Sequence, residues 1–462
     1  MDALTMQHMS AMPAPTWRWL RMNDTTIEIP QGLERVGGTE IEAEDALLDT
    51  TATFEGAVAE LQERLDAARG GRGEKSGTAD SRASVRAAKL AAEDIADLDT
   101  PALSRYQRRA ALEEDAGDVA AAFETGIGAD ARAYLGFIAG GAITLATEAG
   151  AEGQATVRIT GEQGGAAAAS VDVVAAAGST FDLAISLDGV GEDEPRADSS
   201  TTATPASTNT APAEGADSPA SEPLGLIGSE LRVFAGANAR VNVTVYITAS
   251  DAFTALDDSG YVLDEGARVT VRHVVLGGAH TATGLAADLR GDSARMDIDT
   301  RYLASAAETR DFNYVIRQRG RKTVSNMDAN GVLTGRAKKV LRGTIDLVHG
   351  CKGSEGTERE TVLLASKGVD NKTVPVILCD EDDVAGNHGA TIGHVRPEQL
   401  FYLGCRGLSE EAAEALFITA KLEDAALSAS DDAMRRNVMR LGSALAADFE
   451  YFEDEDLEED VA

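Results

Sequence analysis

The sequence predicts a mainly β protein, a long strand-rich core flanked by α-helical regions on its N-terminal and C-terminal sides. Three observations carry the prediction. Through the middle of the chain apolar residues recur at every second position, the period of a strand whose side chains alternate between two faces. Earlier and later in the chain they recur at helical spacing instead. The strand candidates are separated mostly by glycine, asparagine and aspartate turns, with few helical patterns between them, which points to strands in series. A chain of 462 residues is several times the size one small core needs, so more than one structural region is expected.

Taken in order, residues 1–134 are expected to form a helical region. From about Ile41 to Phe123 the chain is rich in alanine, glutamate, leucine and arginine, and "AVAELQERLDAA" and "VRAAKLAAEDIADL" carry the helical period. Between them "RGGRGEKSGTADS", residues 69–81, has neither phosphate-loop spacing nor the dinucleotide-binding fingerprint in its strand-to-helix setting, and reads as a loop.

Residues 135–395 are expected to be the β core. "FDLAISL" sets Phe181, Leu183, Ile185 and Leu187 on one face. "RVNVTVYI" does the same with Val241, Val243, Val245 and Ile247, and "RMDIDT" with Met296, Ile298 and Thr300. "RVTVRHVVL", "KVLRGTIDLV", "RETVLLA" and "TVPVILC" continue the series. Strands in series fold as a sandwich, a barrel or a solenoid, and no strict repeat separates these three. Residues 191–223 hold almost no large apolar side chain to offset the entropy of ordering, so a disordered insertion is expected there.

The helical period returns over residues 396–447. "LSEEAAEALFITAKLEDA" starts with Ser409 as a cap and two glutamates in the first turn, where carboxylates favour the helix dipole. "SDDAMRRNVMRLGSALAADF" places Met434, Val438, Leu441 and Leu445 on one stripe, suited to internal packing or to a partner helix. Residues 448–462 read as a solvated acidic tail.

Charge narrows the function classes. With 77 acids against 42 bases the formal charge is −35, which repels phosphate backbones and anionic lipid, so neither nucleic acid nor membrane is an expected partner. The first residues carry no basic segment followed by an apolar run, and no stretch has 18 consecutive apolar residues, so the cytoplasm is expected. Three cysteines, Cys351, Cys379 and Cys405, are too few and too evenly spread for a disulfide framework and are expected to be free thiols. No Walker A motif is present, so a nucleotide-driven step has to come from another subunit, and no G-x-S-x-G elbow supports a serine nucleophile.

The densest chemistry lies in "TVPVILCDEDDVAGNHGATIGHV", residues 373–395. "TVPVILC" reads as a strand ending at Cys379, and "DEDDVAGNHG" as a turn carrying His388. Thiolate and neutral imidazole are good ligands for iron or zinc, and a thiolate also accepts or passes on sulfur. There is no C-x-x-C, and Cys379, His388 and His394 do not form the close ligand pairs of structural zinc. The alternative is a buried cysteine, surface acids and a turn histidine. His273, in phase with Val269, Val271 and Val275, reads as a core histidine, while Cys351 with His349 nearby reads as an exposed loop thiol of lower rank.

Residues 291 to 420 resemble the SufB/SufD family, the scaffold subunits of the SUF iron–sulfur cluster assembly system. The carrying stretches are "GRAKKVLRGTIDLVHGCKGSEGTERETVLLAS", "NKTVPVILCDEDDVAGNHGATIGHV" and "EQLFYLGCRGLSEEAAEALFITA", in that order. "PAPTWRWLRMND" near the start resembles the SufD type. The resemblance implies a right-handed parallel β-helix between N-terminal and C-terminal helical regions. It implies pairing with a SufB-like subunit, or with a second copy as a homodimer, through the β-helices. It also implies an ATPase partner of SufC type on the C-terminal helices, the stripe from Met434 to Leu445 being the expected contact. ATP hydrolysis there would move the two scaffold subunits.

Carried over by position, His388 in "NHGAT" matches a SufD histidine implicated in cluster assembly, and Cys379 falls where SufB has its cluster-building cysteine. Cys405 stands where the family pattern has serine in "FYLxSRG". The upstream SufB cysteine motifs are missing, which argues against a complete SufB. The implied role is a scaffold subunit of SufD type, not an enzyme, with Cys379 and His388 as ligands of a transient iron–sulfur cluster. The acids Glu381 to Asp383 would attract iron or keep the turn solvated. A subunit that only braces SufB and SufC remains an alternative. A β-helix enzyme acting on carbohydrate is a further one, though it would need paired carboxylates on one face and commonly an export signal. Flavin involvement stays open.

Overall fold

The computed structural model describes residues 3–13, 22–30, 32–49, 51–70, 125–190, 224–394 and 396–445. The expected insertion at 191–223, the acidic tail at 448–462, the helix "VRAAKLAAEDIADL" and most of the loop at 69–81 lie outside the described residues. The rest forms a parallel β-solenoid of about 8 turns with helices at its sides.

Two sheets of parallel strands face each other. One runs β20-β18-β16-β14-β12-β10-β8-β6-β4 and the other β19-β17-β15-β13-β11-β9-β7-β3, so the chain alternates between sheets and advances one rung per coil. The first sheet comprises β4 (Gly37–Ala43), β6 (Glu152–Glu162), β8 (Thr180–Val190), β10 (Arg240–Ile247), β12 (Arg268–Val275), β14 (Arg295–Ala304), β16 (Val324–Leu333), β18 (Ser354–Leu364) and β20 (Val384–His394). The second comprises β3 (Glu34–Arg35), β7 (Gly165–Ala175), β9 (Gly225–Ala235), β11 (Phe253–Leu263), β13 (His280–Leu289), β15 (Thr309–Gln318), β17 (Lys338–Leu347) and β19 (Asp370–Cys379), with β5 (Ala142–Ala146) beside β7. Each solenoid strand pairs in parallel except β4, which lies antiparallel on β6.

The period-two positions read from sequence are the inward ones. Phe181, Leu183, Ile185 and Leu187 stack on Val241, Val243, Val245 and Ile247, and these on Val269, Val271, His273 and Val275. All are buried, and together they form one continuous core. The turn residues have an equally regular cause. Gly178, Asn238, Gly266, Ser293 and Lys322 sit at one corner of successive coils with φ between 54° and 71°. Each donates its N–H to a carbonyl of the following coil. The left-handed conformation favours glycine and tolerates asparagine, which is why these residues punctuate the sequence.

Helices cover parts of the outer faces. On the second sheet, α1 (Phe54–Gly70) lays Phe54, Val58 and Leu61 against Phe234 and Val262. There too α2 (Ala129–Ala139) lays Ala131, Leu135 and Ile138 against Leu226, Leu256 and Ala282. On the first sheet, α4 (Glu410–Leu427) and α5 (Asp432–Leu445) bury Leu422, Ala425, Met434, Val438 and Leu441 against Tyr246, Val274, Leu303 and Val332. Ser409 caps α4 by accepting the Ala412 N–H at 3.2 Å.

The span 1–134 is not only helical. It contributes a hairpin of β1 (Ala3–Met9) with β2 (Thr25–Pro30), plus β3 and β4, which join the solenoid sheets. Short segments such as "TTIEIP" carry too few residues to show a period, and the partners of β3 and β4 lie far along the chain.

Candidate functional site

The last coil of the solenoid is made by β19 and β20, and it is open. β20 is exposed at every position after Val384, while the corresponding strand one rung earlier, β18, buries Ser354, Gly356, Glu358, Glu360 and Val362. No described strand pairs with the far edge of β19 or β20. A sheet edge of this kind presents unpaired N–H and C=O groups, which another strand can take up.

His388 lies within β20 and not in a turn as the sequence suggests. Glycine and asparagine in "VAGNHGATIGH" weigh against a strand, but the ladder to β18 overrides them over all eleven residues. His388 is in register with Glu358, so it holds the inward phase at the open end, exposed because no further coil covers it. Cys379 ends β19 in register with the buried Leu347, and is also inward-phased and exposed.

These two candidates share the open end without meeting. Across the lumen a Cβ on Gly386 would lie 3.0 Å from Ile377, and one on Gly343 2.5 Å from the Glu358 carboxyl. The two strands of a coil therefore run in opposite directions, with Pro375, the rung above Gly343, opposite His388. Cys379 is four residues further along β19, roughly 13 Å of strand. Among the described residues no group of three or more His, Cys, Asp and Glu side chains is placed to hold a metal ion.

The acids after Cys379 build the corner. Cys379 donates its thiol hydrogen to the Glu381 carbonyl at 3.2 Å. The Glu381 carboxylate accepts the N–H of Gly350 at 3.0 Å and of Asp382 at 3.1 Å, and these bonds, the Gly350 bond above all, hold its carboxyl below the ordinary range. Asp383 accepts the N–H of Gly353 at 2.6 Å, continuing the corner ladder. Cys351, expected as an exposed thiol, is fully buried in the core, because its loop folds inward under this corner. Burial pushes its thiol up to about 11, which favours the protonated form. Cys405, at the end of α3 (Pro397–Cys405), is exposed.

The interior holds charged groups that the sequence reading missed. Glu360 accepts from Lys339 and from Tyr302 Oη at 3.0 Å, and from Thr373. Glu358, also inward, has no hydrogen-bond partner on either oxygen among the described residues. Burial, reinforced by Glu360 and opposed by Lys339, pushes its carboxyl up to about 8. The alternation in "SEGTERETVLL" was the available signal, since it places both glutamates in phase with Gly356 and Val362. Further along, His273 is buried as expected, with Nδ1 3.1 Å from Tyr314 Oη and Nε2 3.5 Å from Asp257 Oδ2. Burial lowers His273 to about 3 and raises Asp257 to about 7.

The stripe of α5 expected to meet a partner is used internally: Met434, Val438 and Leu441 are buried on the solenoid. The apolar surface left free lies elsewhere. α3 buries none of its residues, Phe401 is 75% and Tyr402 56% exposed, and Leu416 and Leu427 of α4 are exposed as well. No helix among the described residues is long and apolar enough to cross a membrane.

Residues 213–421 match the family described as SUF system FeS cluster assembly, SufBD core domain. Iron-sulfur cluster assembly protein SufD of Bacillus subtilis is 31% identical over 131 residues, 28% of this chain and 30% of that protein. The SufD protein of Escherichia coli is 24% identical over 226 residues, 47% of this chain and 53% of its own length. A SufBD family protein of Mycobacterium leprae is 28% identical over 135 residues, 29% of this chain and 16% of that protein. The chain thus spans about half or less of the length of these curated relatives.

Proposed function

From the premise that this chain carries the SufBD core of the SufB/SufD family, SufD-type by its relatives, we propose that it is a scaffold subunit for iron–sulfur cluster assembly. It turns over no substrate alone. Its open coil pairs with the β-solenoid of a SufB-like subunit, or with a second copy, and the nascent cluster is cargo held at that junction. A SufC-like ATPase docks on the free faces of α3 and α4, where Phe401 and Tyr402 stand exposed, and not on the buried stripe of α5. The setting is the cytoplasm.

The observation that carries this reading is the open last coil. A terminal strand exposed along its length and carrying an inward-phased imidazole, beside a strand that ends in an inward-phased thiol, suits a junction completed by another chain. Cys379 as thiolate accepts sulfane sulfur from a donor persulfide, whose own thiolate leaves, or binds iron, and His388 as neutral imidazole binds iron. Because they stand roughly 13 Å apart along the coil, each acts with groups supplied by the partner.

The competing reading is a brace that holds SufB and SufC without touching cargo. It is favoured by the Cys379 thiol being engaged by the Glu381 carbonyl. Anaerobic co-expression with SufB-like and SufC-like partners decides between them, by comparing iron and acid-labile sulfide in complexes carrying wild-type, Cys379→Ser or His388→Ala chains. Loss of cluster from an assembled complex in either variant supports the scaffold site. Unchanged iron and sulfide in both makes the subunit a brace.

A further inference from the structure

One inward column of the first sheet changes character at its end. Val243, Val271, Ile298 and Met327 stack in register at the same station of successive coils, and the next two rungs are Glu358 and His388. Glu358 is 3% exposed, and neither carboxyl oxygen finds a partner among the described residues. The neighbouring inward carboxylate, Glu360, is engaged by Lys339, Tyr302 and Thr373, so the one nearby ammonium is already taken. The Glu358 carboxyl fills the space that a Cβ on Gly343 would occupy, and it borders a cavity of about 10 Å³ lined by Tyr314, Met327, Leu341 and Gly343. That space holds at most one water-sized sphere.

Burying a carboxyl with no partner is unfavourable, and an apolar residue at this station would continue the column without that cost. Gly343 leaves the carboxyl room but offers it no hydrogen bond, so packing alone does not account for the glutamate. Its distinguishing feature is its place: it is the last closed rung beneath His388. Adjacent rungs are about 4.8 Å apart, so an imidazole and a carboxylate in the same phase can both reach one ion at bonds of about 2.1 Å.

We infer that Glu358 is the oxygen ligand that joins His388 in holding a single divalent metal ion of the iron class at the open end of the solenoid. The inference rests on reading the open end as a metal-handling site and adds the second ligand to it. The remaining positions on the ion are left to water or to the partner chain.

The test is anaerobic titration of the full chain with Co(II), and with Fe(II) in parallel, read by calorimetry and by the cobalt d–d absorption. Wild-type chain is expected to bind one ion. Glu358→Gln and His388→Ala should each weaken binding at least tenfold, and the double variant little more than either, because both ligands serve one ion. Glu358→Leu, which continues the apolar column, should unfold at or above the wild-type midpoint and show the same loss. That result separates a lost ligand from a lost fold. Glu358→Gln and Glu358→Leu chains that bind like wild type while His388→Ala does not would overturn the assignment of Glu358 and leave the scaffold reading intact. A wild-type chain that binds no ion also overturns it, whereas the scaffold reading stands or falls on the cluster content of the three-subunit complex.

Discussion

At its N-terminal end the solenoid is covered in part. β4 lies antiparallel beside β6 with its outer edge unpaired among the described residues, but Ile41 and Ala43 pack on the core, and Leu47, 5% exposed, sits over Gly153 near Phe181. At its C-terminal end β20 lies in register on β18, and no described strand lies on β20. The strand chemistry is similar at both ends, so the difference is one of capping. A parallel solenoid needs something over each terminal rung to hide its apolar interior and its backbone edge. This chain supplies a side-chain cap at one end and leaves inward positions with His388, Ile392 and Cys379 bare at the other, which is why the proposed junction is placed at the bare end.

Closed-core substitutions set the scale for that contrast. Phe253 is fully buried, and its ring closes against Gly161, Gly189 and Gly225, glycines whose missing Cβ leaves room for it. Phe253→Ala is expected to cost about 3–5 kcal/mol, read as a lower urea midpoint at unchanged slope. A cost under about 1 kcal/mol would mean that the first coils are loosely packed and the contrast between the ends is unreal. Leu47→Ala tests the cap itself. It should cost about 2–3 kcal/mol, because the residue belongs to the core although it lies in a short turn before the solenoid proper.

Much of this was legible in the sequence, for a stated reason. Phe181 to Leu187 and Val241 to Ile247 show their period because the first sheet buries its inward face while part of its outward face stays polar. The glycine and asparagine turns were visible because one corner demands a left-handed residue in each coil. What was not legible depends on stacking between distant residues. His388 looked like a turn residue because its strand exists only through pairing with β18. Cys351 looked exposed because nothing local shows its loop folding under the next corner. Met434 and Val438 showed an apolar stripe, but not which surface would cover it.

The closed interior also contains a test of what burial does to polar groups, which the open end escapes. Asp257 is raised to about 7 by burial, with the Ser229 hydroxyl at 2.7 Å opposing and Asp258 adding to the rise, and it faces His273 and Tyr261. A carboxyl whose folded pKa lies above its unfolded value near 3.8 binds its proton more tightly when folded. It therefore costs nothing below about pH 4, and stability falls as pH rises from there through 7. Between pH 5 and 7 this fall is on the order of 2 kcal/mol, and Asp257→Asn should flatten it, read as unfolding midpoints across that range. An unchanged slope would show that Asp257 is not the group responsible.

The smallest expected effect separates the two ends most directly. Ile392 is an inward-phased apolar residue of β20, as Val362 is one rung below on β18, yet it is 45% exposed while Val362 is buried. If the end is open in the isolated chain, Ile392→Ala removes little packing and should change unfolding free energy by less than about 0.5 kcal/mol. The same substitution should weaken co-purification with a SufB-like partner about tenfold, since the residue then stands at the centre of the junction. Should Ile392→Ala instead destabilise the isolated chain as Leu47→Ala does, the open end is already covered in solution. A dependence of that cost on protein concentration would identify the cover as a second copy of the chain, because only an intermolecular cap loses strength on dilution.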